Sequence, residues 1–119
     1  MPDVATPTYV EQRIRELADG IAHMVSVCDQ HYRAFLKADR EYDAAKAHAF
    51  LAATGSVDAK KARAEIETTQ QRATLDVADA AYRYADRRAK ALESELRAWQ
   101  SVGASVREMY RVAGRGEGA

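Results

Sequence analysis

Proline is almost absent from this chain, and its two copies, Pro2 and Pro7, both stand within the first seven residues. Everything after Pro7 is therefore free of the residue that breaks helices by removing a donor and clashing with the preceding turn. Cysteine occurs once, as Cys28, which excludes an internal disulfide and fits a reducing compartment. Aromatic residues make up only 8% of the chain, and alanine carries much of the 47% apolar share. No apolar run reaches the roughly 18 residues of a membrane-spanning helix, and the start "MPDVATPTYV" lacks the basic and apolar regions of a signal peptide. Neither sign of charge is in excess, since 18 Lys+Arg balance 18 Asp+Glu. Proteins that live on phosphate contacts usually carry a basic surplus, so composition argues against a dedicated DNA binder. At 119 residues the length is that of one domain. These absences predict a soluble, cytoplasmic, helical protein without membrane contact.

What is present is periodic. In "TPTYVE", Thr8 and Glu11 have the spacing of a capping box, with Pro7 stiffening the entry. From there one apolar position recurs at steps of four and three: Val10, Ile14, Leu17, Ile21, Met24, Cys28, His31, Phe35, Ala38, Tyr42, Ala45, Ala49, Ala52. A seam sustained over so many heptads is the mark of a coiled coil, and it passes Gly20 without losing phase. "ATGSVD" reads as a reversal, with Gly55 suited to a left-handed C′ position and Ser56 or Asp58 able to cap the next helix. A second seam follows through Ala64, Thr68, Gln71, Leu75, Ala78, Tyr82, Ala85, Ala89, Leu92, Leu96, Trp99, Gly103, Val106 and Tyr110. The expected fold is all-α: a long antiparallel two-helix hairpin of coiled-coil type, completed by oligomerisation into a helical bundle. Residues 1–7 are expected to be a flexible N-terminus, 8–112 the hairpin with its turn near 54–58, and 113–119 a disordered tail, since "GRGEGA" has no apolar anchor.

Two facing seams do not use every apolar residue. The first helix carries an extra stripe, Ala18, Val25, Tyr32 and Leu36; the second carries Ile66, Ala73, Val77, Ala80 and Tyr84 on a face turned from its own seam. Extra stripes imply extra helices, from a second copy or from another protein. Trp99, followed by the small residues of "SVGAS", is a further candidate for docking, against the plainer reading of core packing.

The stretch "AYRYADRRAK" raises a different question, because it sets two tyrosines among basic residues. Tyr82 is a seam position. Asp79 with Arg83, Asp86 with Lys90, and Glu93 with Arg97 are spaced as i,i+4 pairs repeating every heptad, which explains most of the charge as a solvated face. Tyr84, Arg87 and Arg88 remain, with Lys60, Lys61 and Arg63 after the turn, as candidate contacts to single-stranded nucleic acid. Cys28 and His31 are spaced C-x-x-H, but both fall on the seam and no second metal pair follows. No phosphate-cradling glycine loop, catalytic motif or cofactor motif is present, so no enzyme activity, cofactor or metal is expected.

The segments "LAATGSVDAKKARAEIET" and "ALESELRAWQSVGASVREMY" resemble small alanine-rich helical proteins of actinobacterial bacteriophages and prophages, over roughly residues 40 to 112. The shared features fall on Ala53 to Ser56, Lys61 to Glu65, and Leu96 with Gln100 and Ser101. The resemblance implies a bacterial host cytoplasm and a setting among replication and recombination functions, and it brings no catalytic residues. The expectation is a non-enzymatic accessory factor that acts by protein–protein contact on DNA-processing or host machinery, its partners itself and a phage or host protein. The alternative is a single-stranded nucleic-acid-binding accessory protein.

Overall fold

In a computed structural model, residues 6–118 are described, and they are helical almost throughout. The order is α1 (Pro7–Ala52), α2 (Val57–Glu67) and α3 (Thr69–Gly118), with no strand among the described residues. The chain is an all-α helical hairpin of coiled-coil type, as its two seams predict.

The ends of the helices show how local chemistry sets the boundaries. The Tyr9 amide donates to Thr6 Oγ1 at 3.3 Å, and the Val10 amide donates to the Thr6 carbonyl at 3.1 Å. Thr6 is thus the cap, two residues ahead of the expected Thr8–Glu11 box. Pro7 explains the shift: it has no N–H to satisfy and a φ already suited to the first helical position. Residues 1–5 of the expected flexible segment lie outside the described residues, and Pro7 belongs to α1. At the reversal Gly55 adopts φ +108°, and Ser56, in extended conformation, accepts from the Ala59 amide at 3.2 Å. Of the two capping candidates there, Ser56 is the one used.

The second helical arm is interrupted where the seam predicts continuity. Thr68 ends α2 with φ −107° and ψ 18°. Its hydroxyl donates to the Ala64 carbonyl at 2.7 Å, and that of Thr69 donates to the Ile66 carbonyl at 2.8 Å. Two adjacent threonines thus compete for carbonyls that a regular helix reserves for its amides. Thr68 is nevertheless 2% exposed, so the seam passes through the break in phase. The far end differs too. α3 extends to Gly118, so residues 113–118 have helical backbone where a disordered tail was expected, and Ala119 lies outside the described residues. No proline stops the helix there, and glycine lowers helix propensity without barring it.

The chain divides into two compact units, residues 1–25 with 87–119 and residues 26–86. In the first, Val10, Leu17 and Val106 are buried, and α1 approaches α3 closely at Gly103. A Cβ added there would lie 3.2 Å from Val10 Cγ1, so only glycine fits without a shift. Tyr9 packs on Trp99 with ring centroids 5.7 Å apart, and Arg13 bridges to Glu95 at 2.9 Å. Hydrogen bonds to Glu95, then Glu16, hold the Arg13 guanidinium above its ordinary pKa. In the second unit Ala38, Ala64, Leu75 and Ala85 are buried, and the Tyr82 ring centroid lies 5.1 Å from that of Tyr32 and 6.4 Å from that of Phe35. Near the turn Ala45 and Ala49 are half-buried, while Ala52, Ala59 and Ala62 are exposed, so burial along the first seam fades before the reversal.

Candidate interaction surface

α3 shows two opposite faces between residues 71 and 85. Leu75, Ala78, Tyr82 and Ala85 turn inward, Leu75 and Ala85 buried and the other two half-buried. Residues two apart on a helix differ by about 200° in direction, so Ala73, Val77, Ala80 and Tyr84 occupy the opposite side. They are exposed, Val77 at 71% and Tyr84 at 67%, and Ile66 of α2 stands at 69%. Their steps of four and three repeat the rhythm of the inner seam. Charged pairs border the row: Arg72 with Asp76 at 3.2 Å and Asp79 with Arg83 at 2.9 Å. The outer face of α3 is therefore a seam in its own right, apolar along its middle and ion-paired along one edge.

The stripe expected on α1 is less free. Val25 is 70% exposed, but Leu36 is half-buried and Tyr32, at 43%, is tied to Tyr82 and Phe35. Trp99 is half-buried against Tyr9, which makes it a packing residue of its own unit.

The basic candidates do not gather. Lys60 Nζ sits 5.6 Å from the Phe50 ring centroid, and Arg63 bridges to Glu67 at 2.9 Å. Lys61 joins Asp43, Lys46, Ala47, Phe50, Leu51 and Ala64 around an open groove of about 540 Å³. Tyr84 lies roughly 22 Å along α3 from its first residue, so it cannot share a short strand's site with the group after the turn. Arg87 and Arg88 are exposed. The ion-pair ladder is partly as spaced: Asp79 binds Arg83, and Asp86 and Lys90 both have partners. Arg97 departs from it, donating to Ser94 at 3.3 Å.

No family model, curated protein or solved structure matches the chain. The surface itself must carry the functional reading. Among the described residues no three His, Cys, Asp or Glu side chains converge as a metal site, and no helix is long and apolar enough to cross a membrane. Sequence reasoning passed over Leu51 and Val57, 77% and 59% exposed beside the turn, and Met109 and Val112, 63% and 55% exposed near the end of α3. Leu51 and Val57 sit off both seams, and the signal that finds them is apolar size next to a reversal that cannot bury it.

Proposed function

We propose that this chain is a non-enzymatic interaction protein that works by offering the outer face of α3 to another helix. One observation carries the reading: Ile66, Val77 and Tyr84 are 69%, 71% and 67% exposed in a row that keeps heptad steps. Large apolar side chains at that spacing suit knobs-into-holes packing, and exposing them to water without a partner is costly. The occupant is a second copy or a phage or host protein. The phage setting, with DNA-processing or host machinery as the class of target, rests on the resemblance of residues 40 to 112.

The second reading, binding of single-stranded nucleic acid, is favoured by exposed Tyr84, Arg87 and Arg88, and disfavoured by the neutral charge and the engagement of Arg63 with Glu67. One experiment separates them. Immobilised wild-type chain should retain a protein, either a second copy or another, from the cell that makes it, and Val77→Asp should lose it with helicity unchanged. Equal retention by both, or tight binding of single strands that weakens by about 0.7 log units per log unit of salt for each phosphate contact, overturns the proposal.

A further inference from the structure

The outer face of α3 carries a pattern that selects its occupant. Ala73, Val77, Ala80 and Tyr84 alternate small and large along the row, and all are exposed. We infer that this face pairs with the same face of a second copy, antiparallel, about a two-fold axis between Ala78 and Asp79. The inference rests on the reading of the stripe as an interaction surface and names its partner.

In that alignment Val77 of one copy meets Ala80 of the other, and Tyr84 meets Ala73. Each layer then holds one large and one small side chain, which keeps the helix spacing even. A parallel pair would set Tyr84 on Tyr84 in one layer and alanine on alanine in the next, so the helices would have to spread and close within one turn.

Charge fixes the register. Antiparallel copies bring the same edge of each stripe together, and the edge residues there are Asp76 and Arg83. Centred between Ala78 and Asp79, the alignment brings Asp76 within two residues, about 3 Å along the axis, of Arg83 on the facing edge of the second copy, twice by symmetry. Sliding one heptad either way brings Asp76 as near to Asp76 or Arg83 as near to Arg83. Flanking charges of this kind choose partner and orientation in coiled coils. Both groups are available: the Asp76 side chain is 61% exposed and that of Arg83 69%. Their present partners within the helix, Arg72 and Asp79, are solvent-exposed i,i+4 contacts of the weak surface kind. Arg72 also keeps a second contact, over the Tyr42 ring at 5.6 Å, when Asp76 turns outward.

The test uses the full chain, with mass read by analytical ultracentrifugation and helicity by circular dichroism. Wild type should sediment as a dimer. Asp76→Arg alone and Arg83→Asp alone each set like charges near one another, and each should weaken dimerisation on the order of tenfold or more. An equimolar mixture of the two variants should recover the dimer, because each variant supplies the charge the other lacks. This recovery also shows that both variants still fold. A wild-type monomer at high micromolar concentration would overturn the second copy as occupant and leave the stripe open to a different protein. A dimer that persists in both single variants, or a mixture that stays monomeric, would overturn the register. A dimer that persists in Val77→Asp would remove the stripe from the interface and take the underlying reading with it.

Discussion

Three glycines show how the same residue type does unlike jobs in one helical chain. At Gly55 the backbone stands at φ +108°, a region where a side chain is strained whatever the space around it. At Gly20 a Cβ would meet Leu92 Cδ1 at 3.7 Å, an ordinary contact, and the backbone is helical. At Gly103 the helices touch. Gly20→Ala should therefore stabilise the fold by up to about 1 kcal/mol, whereas Gly55→Ala should cost about 1–2 kcal/mol. Thermal melts of the two variants check this, and a fall in Tm for Gly20→Ala would mean that α1 needs its glycine there. The role of Gly55 was legible from its setting in "ATGSVD". The cap at Thr6 is hidden in the sequence, because Thr8 and Glu11 match the capping-box spacing while Pro7, which suits the first helical position, puts the cap one residue before itself. Tyr110 shows a similar limit: it keeps the seam's rhythm but is 54% exposed. In the antiparallel count that sets Val10 against Gly103, Pro7, the first residue of α1, falls opposite Val106, four residues short of Tyr110.

Among the elements, heptad rhythm was the strongest signal, and it placed nearly every inward residue on both arms. On the first seam Ala52 alone is exposed, the other positions being buried or half-buried. The rhythm has no means of showing an interruption that keeps phase, and the break at Thr68 is of that kind. Its cause is chemical, lying in the hydroxyls of Thr68 and Thr69 that bond back to the carbonyls of Ala64 and Ile66. Replacing them together, Thr68→Val with Thr69→Ala, keeps the buried shape at 68 and removes both competing donors. α2 and α3 should then join as one helix, and backbone amides around residues 68–72 should exchange with solvent more slowly than in wild type. Unchanged exchange would place the cause of the break in the packing of Thr68 against α1. Gln71, one seam step on, is a second polar intrusion, with Oε1 buried and without a hydrogen-bond partner among the described residues. Its place on the seam was legible from spacing alone; its unmet acceptor depends on contacts that spacing does not contain.

For the whole chain, the count of apolar stripes was more informative than any motif. Two facing helices bury one stripe each, and the sequence holds more than two, so the exposed row from Ile66 to Tyr84 was foreseeable. What covers it was not foreseeable from rhythm, since a stripe states that a helix belongs there and leaves its owner open. Trp99 and Tyr32 were less foreseeable still, because partial burial against Tyr9 and Tyr82 depends on how each unit closes. Mass action turns the remaining question into a measurement. If folding is completed by a second copy, the associated state is favoured by concentration, and Tm should rise as the chain is made more concentrated. Raising concentration from about 5 to about 500 μM, a hundredfold step worth up to roughly 2.7 kcal/mol when association is saturable, should move Tm upward by several degrees. Val77→Asp should show a flat Tm over that range, lying near the low-concentration value of wild type, since Val77 makes its contribution only when covered. A flat profile in wild type as well would show that the hairpin carries its stability alone, and the outer face of α3 would then serve a partner of different sequence.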